Sequence, residues 1–355
     1  MTLEDLGYNA ALERYRKSHH LDSFEVGRVV SEHKERYTVR TAEHEYDAEI
    51  TGNLRYTATQ RADFPAVGDW VAVSEYSHEK ALIHAVFPRT STIERQAVGQ
   101  HGEKQIIATN IDVALIVQAV DRDFNINRLE RYLTICNAAK VKPIILLNKI
   151  DLVGENQLSA LVDKVRERVK KVPIITMSNE TLQGMEALHN MILKGNTYCL
   201  LGSSGVGKST LLNTLTRSGR MTTGTISAST SKGKHVTTHR ELIVLNSGGI
   251  LIDNPGIREV GITDAAAGLE SIFEQIAALA PTCKFKDCSH TTEAGCAVLE
   301  AVSAGLIDES AYENYLKMER EKAHFQSTVA ERRKKDKEFG KMMKQYKKST
   351  RHGNR

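Results

Sequence analysis

Gly202-Ser203-Ser204-Gly205-Val206-Gly207-Lys208-Ser209 is the stretch from which the fold is read. A glycine, four residues, then Gly-Lys-Ser is the phosphate-loop pattern: backbone N–H groups wrap phosphate oxygens and the lysine neutralises the terminal ones. The apolar run Thr197 to Leu201 suits a buried strand, and Ser209-Thr210 opens a helical stretch that runs to Thr216. Phosphate would then sit on a helix N-terminus, with Ser209 as a magnesium ligand. An ordinary Gly-Ser turn, the alternative, needs neither the strand before it nor the helix after it.

Working backward, Asn148-Lys149-Ile150-Asp151 follows the apolar run Pro143 to Leu147, so its polar groups fall at a strand's carboxyl end, where open α/β sheets bind ligands. An ionised Asp151 accepts from the N1 and N2 donors of guanine and would meet no such pair on adenine. Alone the tetrapeptide is weak evidence; beside a phosphate loop it is strong. Ser178, after Val172 to Met177, adds a candidate backbone contact to the base.

Working forward, Glu241 to Leu245 and Gly249 to Ile252 read as a hairpin leading into Asp253-Asn254-Pro255-Gly256. There Asp253 would hold magnesium through water and the Gly256 N–H would meet a γ-phosphate. Between the phosphate loop and this hairpin runs the polar stretch Gly224 to Lys234, followed by His235-Val236-Thr237-Thr238-His239. With so little apolar surface, the stretch is expected to be mobile until nucleotide fixes it. Thr237 or Thr238 would then reach magnesium; the alternative is a plain strand entry. Switch GTPases run phosphate loop, switch threonine, Asp-x-x-Gly, Asn-Lys-x-Asp, whereas this chain starts with the last. The pattern therefore predicts a circularly permuted P-loop α/β GTPase domain, since a sheet survives relocation of its chain ends when the termini lie close together.

Cys283, Cys288, His290 and Cys296 fall within fourteen residues. Four N/S ligands suit a structural zinc, one per chain, and leave no open position for catalysis by that metal. The alternative is a set of buried reduced thiols. Cys136 and Cys199 lie on apolar segments and read as core thiols.

Together these residues resemble the ribosome small-subunit-dependent GTPase A family, permuted GTPases that act late in assembly of the bacterial small ribosomal subunit. The resemblance covers roughly Phe24 to Lys322. It rests on Asn148 to Asp151, Gly202 to Thr210, Gly233 to Leu242, Asp253 to Gly256 and Cys283 to Cys296. Val236 stands where the family often has a first threonine, which leaves the register of the magnesium threonine open, and Ala294 replaces a proline of the metal loop. The resemblance implies an N-terminal OB-type β-barrel that touches ribosomal RNA and a C-terminal α-helical zinc-binding domain. Short β-rich segments fit the barrel: Val26 to Val30, Tyr37 to Arg40, Ala48 to Leu54, Asp69 to Ser74 and Leu82 to Phe87. Trp70 reads as core. Arg36, Arg55, Arg61, Arg89 and Arg95 are RNA-contact candidates or, equally, solvated charges. Ile257 occupies the position after Asp253-x-x-Gly256 where many switch GTPases carry a water-orienting glutamine. The resemblance puts His235 in that role; the alternative is that His235 packs the loop or touches RNA. Lys208 and Gly256 complete the candidate catalytic groups.

Composition fits this reading. With 355 residues, 41% hydrophobic and 26% charged, the chain suffices for two or three soluble domains. The expected division is 1–23 extension, 24–97 barrel, 98–261 GTPase, 262–330 zinc-binding domain and 331–355 basic tail. Leu3 to Arg16 is an amphipathic helix or a disordered lead, and Leu316 to Lys348 has helix-forming composition. The tail carries eleven Lys/Arg against three acids, +8 of a net +4, leaving −4 elsewhere; such an arm attracts phosphate backbones or merely solubilises. No secretory signal, membrane span or disulfide framework is indicated, so a cytoplasmic monomer is expected. The expected partners are GTP or GDP, the small ribosomal subunit and its rRNA. Two other readings stay open: a GTP-dependent switch on another RNA or translation partner, and a GTP-binding module with negligible turnover.

Overall fold

In a computed structural model, residues 1–33, 36–96, 104–122, 124–217, 240–253 and 266–326 are described. Strands β1 (Glu25–His33), β2 (Arg36–Arg40), β3 (Glu45–Ile50), β4 (Trp70–Ser77) and β5 (Lys80–Val86) close on themselves in the order β1-β2-β3-β5-β4, with β4 returning to β1. Burial alternates along β2 and β3, as it must when one face of each strand lines a small barrel. Val29, Tyr37, Val39, Tyr46, Val71, Val73 and Ile83 fill the interior. The strand expected to run through Leu54 ends at Ile50, because the Thr51 hydroxyl accepts from Leu54 N (3.3 Å) and starts a helix, Gly52–Thr57.

Ahead of the barrel, the stretch expected as one helix or a disordered lead is two pieces. A 3₁₀ turn, Glu4–Leu6, ends at Gly7 with φ +91°, and a helix, Ala10–Ser18, starts where the Asn9 side chain accepts from Ala11 N and Leu12 N. Leu6 and Leu12 cover Val26, Trp70, Ala72 and Phe87, so Trp70 is core, 2% exposed.

The second sheet contains β8 (Val113–Ala119), β9 (Lys142–Asn148), β10 (Ile174–Thr176), β11 (Thr197–Leu201), β12 (Arg240–Val244) and β13 (Ile250–Asp253); a hairpin of β6 (Thr92–Gln96) and β7 (Lys104–Thr109) links it to the barrel. Its order is β10-β9-β8-β11-β13-β12, parallel except for β12. Near-continuous apolar runs on β8, β9 and β11 follow from burial on both faces. Helix α1, as numbered here for the second sheet (Ile126–Ala138), and α2 (Glu155–Arg168) belong to one core; α3 (Met185–Met191) and α4 (Lys208–Arg217) belong to the other. The expected hairpin is present as β12 and β13. Strand β12 also pairs antiparallel with β1, Ser31 opposite Glu241 and Glu32 opposite Arg240, so barrel and sheet are hydrogen-bonded into one eleven-stranded surface.

Four helices follow: α5 (Ala266–Ile272), α6 (Glu274–Leu279), α7 (Ala297–Ser303) and α8 (Glu309–Gln326), around Leu269, Phe273, Ile276, Val298 and Met318. The helix expected from Leu316 thus begins seven positions earlier, at Glu309; the tail 331–355 lies outside the described residues. This unit docks on α1: Arg131 holds Glu321 through two bonds (2.5 and 2.6 Å), and buried Glu130 accepts from Asn314 (2.6 Å) and Arg168 (2.9 Å).

One cation joins three parts of the chain. Arg28 of β1 is 1% exposed. It donates to Leu6 O (2.5 Å), Gly68 O (3.1 Å), Asn110 O (3.2 Å) and Thr197 Oγ1 (2.9 Å), and stands 5.4 Å from the Trp70 ring centre. Burial lowers its pKa to about 10, with Asp112 and Asp69 pulling the other way, so it stays charged at neutral pH. Arg28→Met leaves those acceptors without their donor and is expected to lower unfolding free energy by about 3 to 5 kcal/mol. Urea denaturation reads this directly; a loss below about 1 kcal/mol would show the joint to be unimportant.

Candidate nucleotide site and metal-ligating cluster

The parallel registers align strand ends. Leu201 of β11 stands opposite Ile116, Cys199 opposite Ile252, and Ala119 of β8 opposite Asn148. The carboxyl ends of β8, β9, β10, β11 and β13 therefore lie along one edge of the sheet, where α/β folds bind ligands.

From β11 the chain turns at Gly202, with φ +145°, where a side chain would strike the Val117 carbonyl of the neighbouring strand. Val206 is buried in the core beneath, whereas Ser204, Gly205, Ser209 and Thr210 are exposed. The Lys208 ammonium caps the loop, donating to Gly202 O (2.7 Å) and Ser203 O. Arg128, in the first turn of α1, donates to Ser203 Oγ (2.9 Å).

The tetrapeptide after β9 reaches this loop directly. Asn148 is 1% exposed and donates from Nδ2 to Val206 O (2.8 Å). Lys149, in the left-handed region with φ +66°, extends to Asp121 Oδ2 (2.9 Å) on the loop after β8. Asp151 accepts from the buried Ser178 hydroxyl, whose oxygen in turn takes Glu180 N and Thr181 N (both 3.2 Å). Asp253 ends β13, one residue beyond the pairing of Ile252 with Cys199 on the phosphate-loop strand.

Residues read from sequence as one site thus converge: Asn148, Lys149, Asp151, Ser178, Gly202 to Thr210 and Asp253. His235, Thr237, Thr238, Gly256 and Ile257, with the stretch Gly224 to Lys234, lie outside the described residues. Arg128, Asp121 and Asn179 were not singled out. Asp121 stood at a strand end and Asn179 beside Ser178, but Arg128 carried no local signal. Of the arginines offered as RNA contacts, Arg89 is committed internally, with two bonds to Asp69 (2.8 and 2.6 Å) and others to Ala62 O and Phe64 O. Arg36 and Arg61 are exposed at the barrel surface, and the side chain of Arg95 lies outside the described part.

The second cluster is compact. The ligand atoms of Cys283, Cys288, His290 and Cys296 all lie within 4.8 Å of one another. Cys283 Sγ is 3.6 Å from His290 Nδ1 and 3.9 Å from Cys296 Sγ, and His290 Nδ1 is 3.4 Å from Cys296 Sγ. His290 turns in through a left-handed backbone (φ +57°), and Tyr312 donates to its carbonyl (2.6 Å). The Glu293 carboxylate ties the loop by accepting from Ser289 and from the N–H groups of Thr291 and Thr292, which hold its pKa well below the usual range. Burial and the neighbouring Cys296 and Cys283 push the Cys288 thiol up to about 11, so ionising all three sulfurs this close together needs a cation between them. The group can hold a four-coordinate metal ion.

The family model described as RsgA GTPase matches residues 86–263. The chain is 39% identical over 335 residues to the small ribosomal subunit biogenesis GTPase RsgA of Opitutus terrae, covering 91% of this chain and 90% of that protein. The chain belongs to the RsgA GTPase family. Small ribosomal subunit biogenesis GTPase RsgA 2 of Lactiplantibacillus plantarum is 43% identical over 299 residues, 84% of each chain. Among solved structures, YjeQ from Thermotoga maritima matches with a TM-score of 0.61 and 26% identity, over 84% of this chain and 98% of that one. YloQ, described as a circularly permuted GTPase, matches in fold with a TM-score of 0.61 at 24% identity, over 88% and 99%. The permuted order read from the motifs is therefore the order of the fold. An ABC transporter model also matches, over residues 185–350, a stretch containing the phosphate loop; no helix among the described residues is long and apolar enough to cross a membrane. As a member of the RsgA GTPase family, the chain is a hydrolase acting on GTP.

The five thiols divide by environment. Cys136 and Cys199 are fully buried, and burial pushes the first well above its ordinary pKa and the second to about 12. In folded, chelator-treated protein a thiol reagent is expected to label the partly exposed Cys283 and Cys288 and to reach the buried Cys136, Cys199 and Cys296 only in denaturant. Mass spectrometry counts the labels; five on the folded chain would contradict this assignment.

Proposed function

We propose that this chain is a GTP-driven switch in late maturation of the small ribosomal subunit, binding the subunit and its rRNA with GTP and leaving after hydrolysis to GDP and phosphate. One observation carries the nucleotide part: the Asn148 amide bonds the carbonyl of Val206 (2.8 Å), so the base-reading and phosphate-holding motifs, inverted in the chain, form one site. The ribosomal part is supported by relatives named as small ribosomal subunit biogenesis GTPases over nearly full length.

In this reading Asn148 and Asp151 recognise guanine, with Lys149 and Ser178 completing the base pocket. The Ser178 hydroxyl donates to Asp151 and orients the carboxylate. Gly202 to Thr210 cradle the phosphates and Lys208 neutralises the β- and γ-oxygens. Ser209 and Asp253 hold magnesium, joined by Thr237 or Thr238 in the GTP state; magnesium would supply charge neutralisation on the β- and γ-phosphates. Gly256 contacts the γ-phosphate and His235 positions water. Since phosphoryl transfer depends chiefly on positioning and charge, His235 need not be a strong base. Ile257 in place of a glutamine implies slow turnover until the subunit orders the switch.

Segments 24–97, 98–261 and 262–330 would act as RNA-binding barrel, GTPase and zinc-binding domain, with 1–23 and 331–355 as flanking arms. On the barrel, exposed Arg36 and Arg61 and the exposed ring of Tyr56 offer the kinds of cation and stacking surface that single-stranded RNA uses. Zinc would suit the cluster: about 2.3 Å to sulfur and 2.0 to 2.1 Å to nitrogen put tetrahedral ligands roughly 3.4 to 3.8 Å apart, close to the 3.4 to 3.9 Å between the Cys283, His290 and Cys296 atoms. The protein would work as a cytoplasmic monomer.

The deciding experiment is GTP hydrolysis by purified protein in magnesium buffer, with ATP as control, alone and with small or large ribosomal subunits. GTP-selective stimulation by small subunits only is expected; equal rates with and without them would remove the proposed partner and leave the nucleotide site standing. Elemental analysis should find one zinc per chain, released with a fall in melting temperature when Cys296 is changed to Ala. A metal-free native protein would dismiss the zinc.

A further inference from the structure

Two asparagines at the nucleotide site share an unusual state. Among the described residues, the buried side-chain polar atoms without a hydrogen-bond partner are Asn148 Oδ1 and Asn179 Oδ1. Both nitrogens are engaged: Asn148 Nδ2 on Val206 O (2.8 Å) and Asn179 Nδ2 on Gly207 O (2.9 Å). In each amide the carbonyl partner decides which end is nitrogen, because an oxygen there would face an oxygen. The two amides are neighbours, since a side chain built on Gly207 (φ +99°) would run into both nitrogens. A buried acceptor with no donor costs about 1 to 3 kcal/mol, so both oxygens sit where a further donor would stabilise them.

Asn179 occupies a particular place in the topology. It follows Ser178 on the loop after β10, while Gly207 ends the phosphate loop after β11, and β9 and β8 stand between those strands in the sheet. No strand pairing joins the two loops. Gly207 O already accepts Leu211 N (2.9 Å) at the start of its helix, so Asn179 takes the second lone pair of a carbonyl fixed at the helix's first turn.

On the reading of this site as a guanine-nucleotide site, we propose that Asn179 is a positioning residue that clasps the base-reading loop to the phosphate loop and sets how long GDP and GTP stay bound. A nucleotide is gripped at its base by one loop and at its phosphates by the other. Holding the two grips in register before binding removes an ordering cost, and losing such preorganisation appears mainly in the dissociation rate. The clasp touches neither the β–γ bond nor the magnesium ligands, so it acts on both nucleotides alike.

Release of fluorescent GDP and GTP analogues from the full-length chain, measured by stopped flow, tests this with Asn179→Ala and Asn179→Asp. The aspartate keeps the shape and has no N–H to donate. Both variants are expected to release both nucleotides about five- to tenfold faster, the effect of one net hydrogen bond, with the melting temperature of nucleotide-free protein unchanged. Release within twofold of wild type for Asn179→Ala, an effect on only one nucleotide, or an Asn179→Asp that behaves as wild type overturns the clasp. So does a fall in melting temperature that tracks the faster release, which assigns the residue to packing. If wild-type protein retains neither nucleotide, the guanine-site reading falls as well; if it retains both and the variants match it, only the clasp does.

Discussion

The buried guanidinium of Arg28 is the constraint on which the arrangement of this molecule rests. A cation removed from water needs its hydrogen bonds returned, and here they come from four chain segments: the N-terminal turn at Leu6, the barrel at Gly68, the linker at Asn110 and strand β11 at Thr197. None of these acceptors can move without exposing the charge to an unpaired, low-dielectric surrounding. Through Thr197 the barrel is fixed to the start of β11, the strand whose other end leads into Gly202 and the phosphate loop. The pairing of β1 with β12 fixes it again on the far side of β13.

Helix α1 does for the C-terminal unit what Arg28 does for the barrel. Arg128, Arg131 and Thr134 recur every three residues and so share a face. The first touches Ser203 of the phosphate loop and the second grips Glu321. At the third, α5 packs so closely that a side chain on Gly268 would meet the Thr134 carbonyl. Glu130, next to that face, is buried; desolvation raises its pKa against the pull of Arg168, and Asn314 of α8 supplies a further donor. Arg168 extends the network to Asp308 (2.9 Å). A single helix thus has the phosphate loop at its start and along its flank the unit whose Cys283, Cys288, His290 and Cys296 could hold a metal ion, on the connection from α6 to α7.

Much of this was legible because its signals are local. Strand ends carrying Asn148, Asp151, Ser178 and Gly202 to Ser209 declare themselves by apolar runs that stop at polar residues, and the metal ligands by spacing within one loop. Where the reading missed, a neighbour in sequence was outweighed by one in space. Leu54 lies in a helix capped by Thr51 and packs on the barrel core instead of extending β3, and Gly7 and Asn9 split a stretch with helical composition. Arg89 resembled any surface arginine until Asp69 closed on it from twenty residues away.

The amino-acid sequence by itself determined the chemistry and the inverted order of the motifs, because both are written in residue types a few positions apart. Tertiary structure alone decided which of the charged and polar side chains work together. Arg28 finds Thr197 across 169 residues, Asn148 finds Val206 across 58, and Asn179 finds Gly207 across 28. Hydrogen bonds over such separations leave no periodicity or spacing in the chain, and whether an arginine or an amide is buried or solvated is fixed only when the strands and helices around it have packed.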